Sequence, residues 1–119
     1  MAFDLWKEPD AKATITFKLR PRLIQVGISV KLLCCIAGRP IPKIQWFKNS
    51  NEINETDSHY SLEYSCGVAT LEIASCTLND AGTYKCRAEN SLGFDETQCY
   101  VTVEEVKLLK PKALILEQG

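Results

Sequence analysis

Apolar residues recur at every second position along much of the chain, the period of a half-buried β-strand. Residues 13–19, A-T-I-T-F-K-L, place Ile15, Phe17 and Leu19 on one face. Pro21 then interrupts the run. Proline removes a ladder donor, so it belongs on a sheet edge or at a break between strands. Residues 23–26 are predicted to resume the strand and Gly27 to turn it. Val30, Leu32, Cys34 and Ile36 share one face of the next strand, so Cys34, not Cys35, is expected to point into the core. After a turn at 38–42, Ile44 and Trp46 face inward while Gln45 and Phe47 face outward. The stretch N-S-N-E-I-N-E-T-D at 49–57 is rich in turn formers and is expected to hold a hairpin with one short strand around Ile53. Tyr60 and Leu62 alternate in a further strand, and Cys66-Gly67 makes a turn. Leu71, Ile73 and Cys76 read as the inward face of the strand that follows. Residues 90–93 close the last hairpin, and Thr97, Cys99, Val101 and Val103 line the inner face of the last strand.

The densest cluster of signals is N-D-A-G-T-Y-K-C at 79–86. Asp80 and Gly82 mark a tight corner, because Asp bonds its own backbone and Gly tolerates positive φ. Tyr84 and Cys86 are two apart and face the same side of an extended strand. Trp46 lies twelve residues after Cys34, and Cys86 lies 52 after it (86 − 34). Cys, Trp and Cys in that order, with Tyr two before the second Cys, are hallmarks of an immunoglobulin sandwich. Gly38 also opens G-R-P-I-P-K-I-Q-W-F-K, and Leu71 opens L-E-I-A-S-C-T-L-N-D-A-G-T-Y-K-C-R-A-E-N-S-L-G. With these runs, residues 14–104 resemble an intermediate-set (I-set) immunoglobulin domain, similar to the modules of titin, myomesin and the myosin light chain kinases. The resemblance implies an all-β fold, a two-sheet antiparallel sandwich whose first strand crosses between sheets. It also implies a structural core of Cys34, Trp46, Leu71, Ile73, Asp80, Gly82, Tyr84 and Cys86. The family commonly has a cysteine on the last strand where this chain has Thr97; here it falls at Cys99.

A chain of 119 residues has the size of a single domain. The sandwich is expected at 13–104, after a linker at 1–12 that contains Trp6. Residues 105–119 read as a linker or the start of a next module. Pro111 divides them and disfavours one continuous helix. The apolar run at 113–116 reads as linker or, alternatively, as a segment that adds a strand to a partner's sheet edge.

Charge and composition add exclusions. A net charge of −1 gives no electrostatic case for nucleic acid or an anionic membrane. No apolar run approaches the ~18 residues of a spanning helix, and M-A-F-D-L-W-K-E lacks the basic region of a secretory signal. The single histidine, His59, sits in a polar stretch and reads as a surface residue without a role. No nucleophile has a spacing that suggests pairing, and no phosphate-loop pattern is present. The fifteen acidic residues fall on turns and outward strand positions, a solvated surface. No catalytic residue, cofactor or metal is expected. The six cysteines form no C-x-x-C and no zinc spacing. Cys76 and Cys99 fall at core positions, where a free thiol acts as a small hydrophobe. At most one disulfide is expected, Cys34 with Cys86 across the two sheets. The triplet Asn54-Glu55-Thr56 is a glycosylation acceptor of consequence only in a secreted protein.

The resemblance therefore implies a non-catalytic structural and protein–protein interaction module of a multidomain cytoplasmic protein of the sarcomere or cytoskeleton. Such a module bears load and binds filament or cytoskeletal components and neighbouring immunoglobulin or fibronectin modules, and it is monomeric when isolated. Several unpaired thiols fit a reducing compartment. Two other placements follow from the same pattern, an extracellular adhesion or receptor domain and a targeting domain within a muscle protein kinase.

Overall fold

Among the described residues, alternation of apolar and polar positions resolves into nine strands in two facing sheets. The computed structural model describes residues 9–54 and 58–105. In chain order the strands are β1 (Ala11–Phe17), β2 (Arg22–Gln25), β3 (Val30–Arg39), β4 (Lys43–Lys48), β5 (Asn51–Glu52), β6 (Tyr60–Ser65) and β7 (Val68–Ile73). A short 3-10 turn at Leu78–Asp80 leads into β8 (Gly82–Asn90) and β9 (Gly93–Glu104). One sheet has the order β1-β3-β7-β6 and the other β2-β9-β8-β4-β5. All neighbours are antiparallel except β2, which runs parallel to β9. The expected two-sheet sandwich is thus the observed fold, and Pro21 marks the crossing of the first strand from one sheet to the other.

The inner faces close on one apolar cluster. Val30, Leu32, Cys34 and Ile36 enter it from β3, Leu71 and Ile73 from β7, Tyr84, Cys86 and Ala88 from β8, and Cys99, Val101 and Val103 from β9. Burying one large aliphatic side chain stabilises by roughly 1.5–3 kcal/mol, so this cluster is the main source of stability. The β6–β7 hairpin turns on Cys66 and Gly67, both at positive φ (53° and 78°), as the favoured two-residue hairpin turn requires.

Four local readings change. Phe17 does not join Ile15 and Leu19 in the core; it is 42% exposed. A register irregularity between Ile15 and Phe17 turns it to the outer face, beside Cys35. Strand β1 begins at Ala11, inside the stretch assigned to the linker. Cys76 is buried but lies in the connection after β7, which ends at Ile73. The short fifth strand ends at Glu52, and Ile53 follows it, its N–H still donating to the Trp46 carbonyl at 2.9 Å. Trp6, the 106–119 tail, and Glu55 and Thr56 of the glycosylation triplet lie outside the described residues.

Candidate functional site

Three features can serve a structural or binding role: a pinned core, a load path between the poles of the sandwich, and a patterned outer face. The core is built around Trp46. It sits on β4 directly across from Cys86 on β8, with Cys34 on the facing sheet. All three are buried. The Cys34 and Cys86 thiols are both free. The neighbouring Cys34 thiol, then burial, holds the Cys86 thiol well above its ordinary range. Burial also pushes Cys76 and Cys99 up.

Tyr84 lies beside this cluster, and its hydroxyl donates to the backbone carbonyl of Asp80 at 2.6 Å. The corner is thereby tied to the strand that leaves it. Burial, then the nearby Tyr60 and Asp80, push the Tyr84 phenol up. Asp80 is itself buried, and its carboxylate accepts the Thr77 N–H at 2.7 Å. The His59 ring nitrogen Nε2 lies 2.8 and 2.9 Å from the two carboxylate oxygens. His59 is therefore not an idle surface residue: it joins the segment before β6 to the corner before β8. Gly82 holds φ at +155°, and a Cβ there would meet Asn49 Oδ1 at 2.8 Å. Asn49 needs that approach, since its Oδ1 accepts the Thr83 N–H at 3.0 Å.

The load path follows from where the chain enters and leaves. Ala11 opens β1 beside Asn90, whose side chain donates to the Ala11 carbonyl at 2.8 Å. Glu104 closes β9 at the opposite pole, where its carbonyl accepts the Val26 N–H at 2.9 Å. Between the poles, β2 and β9 are in register from Arg22↔Val101 to Gln25↔Glu104. Side chains along the β8–β9 hairpin fasten the first strand as well. The N–H groups of Ala13, Ile15 and Leu19 donate to Asn90 Oδ1, Asp95 Oδ2 and Thr97 Oγ1 at 3.3, 2.8 and 3.2 Å. This explains the buried Thr97: its hydroxyl satisfies a backbone donor that a thiol would serve poorly. Pulling on the two ends loads these bonds in shear, so several must yield together.

The outer face of the larger sheet carries alternating charge and aromatic groups. Arg87 on β8 lies opposite Glu96 on β9, and its Nη1 donates to the Glu96 carboxylate at 2.8 Å. Lys85 approaches the same carboxylate at 3.5 Å. The Arg87 hydrogen bond, with Lys85 beside it, holds the Glu96 carboxyl below the usual carboxylate range. Arg87 also stacks over Phe94 at 3.8 Å and Lys85 over Phe47 at 5.0 Å, the geometry of cation–π contacts. Phe94 and Tyr100 remain half exposed. Such a face offers aromatic anchors with their neighbouring charges already matched, a composition suited to protein surfaces.

Residues 13–103 match the family model described as "Immunoglobulin I-set domain". The chain belongs to the immunoglobulin I-set family. This I-set domain is 39% identical over 100 residues to human "Myosin-binding protein C, fast-type", covering 82% of this chain and 9% of that protein. The chain thus spans about a tenth of the length of that relative. Among solved structures, titin M4 superposes with a TM-score of 0.78 at 26% identity, covering 81% of this chain and 99% of that one. An immunoglobulin-domain structure titled as the titin M10–obscurin-like 1 complex superposes at 0.77 with 26% identity, covering 82% and 98%. The relatives are muscle scaffold proteins, and a structural and interaction role is the one they share.

Within the I-set domain, the residues expected to form the core come together on the inner faces and at the corner: Cys34, Trp46, Leu71, Ile73, Asp80, Gly82, Tyr84 and Cys86 are all buried. Sequence reading missed His59 and the outer-face ladder. The ladder had a usable signal. A hairpin closed by Asn90 and Gly93 places residues 87 and 96 opposite each other. His59 had none, because its partner lies 21 residues away in a different connection.

Proposed function

We propose that this I-set domain is a non-catalytic structural and protein-binding module of a multidomain muscle scaffold, working in the cytoplasm at the sarcomere or cytoskeleton. Homology carries the reading: 39% identity over 100 residues to a protein named for binding myosin. The sheared β2–β9 pairing supports a load-bearing role, since the chain enters and leaves at opposite poles. The aromatic and charged outer face supports a protein partner, either a filament component or a neighbouring immunoglobulin or fibronectin module. The titin M10–obscurin-like 1 complex is a precedent for pairing between immunoglobulin domains. Neither an adhesion receptor nor a kinase targeting domain is favoured by these relatives. In this reading the isolated domain is a monomer, and the folding unit runs from Ala11, where the first strand begins, to Glu104.

The test is cosedimentation with purified myosin filaments, actin filaments and tethered titin immunoglobulin modules. Retention by at least one, weakened by the double variant Phe94→Ala and Tyr100→Ala, is the expected result. A folded domain that stays in the supernatant with all three would overturn the binding role.

A further inference from the structure

We propose that the open edge of β6, with the groove beside it, takes an extended segment of a protein partner that carries an apolar–basic–apolar triplet. Among the described residues β6 pairs only with β7. The two-residue turn makes Ser65 and Val68 the hydrogen-bonded closing pair. Leu62 and Tyr64, opposite Leu71 and Ala69, then fall at non-hydrogen-bonded positions. Their N–H and C=O groups therefore point away from β7, toward the open edge. Their side chains point the other way from the solvent face: they turn inward and are half buried. With Ile44, Trp46 and Ile53 they line a groove of about 450 Å³ between β6 and the β4–β5 edge of the facing sheet.

These two features fit one ligand. A strand laid along β6 would bond to the outward groups of Leu62 and Tyr64. Its residues opposite those two would drop into the groove beside Leu62, Tyr64, Ile44 and Ile53. The residue between them would stand on the outer face beside Glu63. Glu63 is exposed and forms no ion pair among the described residues. A lysine or arginine in the partner is therefore favoured opposite it. Glu52 also borders the groove, one carboxylate oxygen accepting from Gln45 Nε2 at 3.3 Å, and so favours a basic segment. Lys43 on the same wall limits that preference to a single central cation. Six residues of edge span about 20 Å, room for such a triplet and its flanks.

This site is separate from the aromatic outer face, so it stands or falls apart from the scaffold role. The test is an NMR titration with two capped heptapeptides. Both have valine at alternate positions starting from the first and threonine at the second and sixth. They differ only at the centre, lysine in one and glutamate in the other. The lysine peptide is expected to shift the Leu62 and Tyr64 amides and the Trp46 indole, and to bind about fivefold more tightly. Glu63→Lys should invert that preference. Leu62→Pro should abolish binding, because proline deletes one outward N–H and is tolerated on an edge strand. Absence of saturable shifts at these groups with millimolar peptide would overturn the proposal. So would equal affinity for both peptides that Glu63→Lys leaves unchanged, or shifts that grow with protein concentration alone, which mark a second copy as the occupant. Glu63→Lys is expected to retain any filament binding. Loss of filament binding in a chain that still takes the lysine peptide would count against the scaffold reading only.

Discussion

Tyr84 shows how one hydroxyl can hold a corner. Its donor reaches the Asp80 carbonyl at 2.6 Å in a buried setting, so Tyr84→Phe leaves that carbonyl without its partner. The expected loss is about 1–3 kcal/mol, read from the urea midpoint at constant slope. Trp46→Ala should cost more, about 3–5 kcal/mol, because it opens a cavity beside Cys86 and Cys34. Against a typical domain stability of ~5–15 kcal/mol, an unchanged midpoint for Trp46→Ala would contradict this core. The thiols give a second measurement. Cys66 is exposed and Cys35 partly so, while Cys34, Cys76, Cys86 and Cys99 are buried. Alkylation of the native protein should mark Cys66 first and Cys35 next. The remaining four should label only after unfolding without reductant. Failure of Cys34 and Cys86 alone to label would show them bridged. Alternation along β3 was enough to separate Cys34 from Cys35, since neighbours on a strand face opposite ways. No such rule reaches from His59 to Asp80, because nothing periodic links two loops.

At the level of the element, the parallel pairing of β2 with β9 is the feature most tied to load. Val26 lies just past β2, and its N–H donates to the Glu104 carbonyl. Val26→Pro removes that donor. Equilibrium stability should fall by only about 1 kcal/mol. The unfolding force in single-molecule pulling should fall by a larger proportion, because shear loads the β2–β9 bonds together. Equal forces for the two proteins would place the resisting bonds elsewhere. Strand order was largely legible because turn residues punctuate the chain: Pro21, Cys66-Gly67 and the Asn90–Gly93 hairpin all mark real breaks. Phe17 was misread for a reason that lies in pairing. An irregularity in a two-strand ladder shifts the side-chain phase, and the sequence of one strand does not record it.

For the molecule as a whole, the buried thiols and phenols set a pH limit. Cys86, Cys76, Cys99, Tyr84 and Tyr64 are all held above their ordinary values. A group raised on folding contributes its full stability below its unfolded pKa and loses it as pH rises toward the folded value. Unfolded thiols and phenols titrate near about 8.5 and 10. In reductant, the urea midpoint should therefore be flat from about pH 6 to 8 as far as these groups are concerned, and fall steadily above about pH 9. A midpoint that rises with alkali would refute the burial assigned to them. Among the described residues the last paired strand ends at Glu104 and the buried cluster at Val103. A chain ending there should melt within a few degrees of the full one, by calorimetry. A collapse in melting temperature would mean that the tail packs on the sandwich.

The entry at Ala11 and the exit at Glu104 lie at opposite ends of the long axis of the sandwich. The twelve residues of β9 traverse that axis, a rise of roughly 40 Å. Joined head to tail, such units would add length rather than bulk, each copy advancing the chain by about one strand. A protein made of them could set distances along a filament by counting, so that deleting one unit would shift every later binding point by one fixed step.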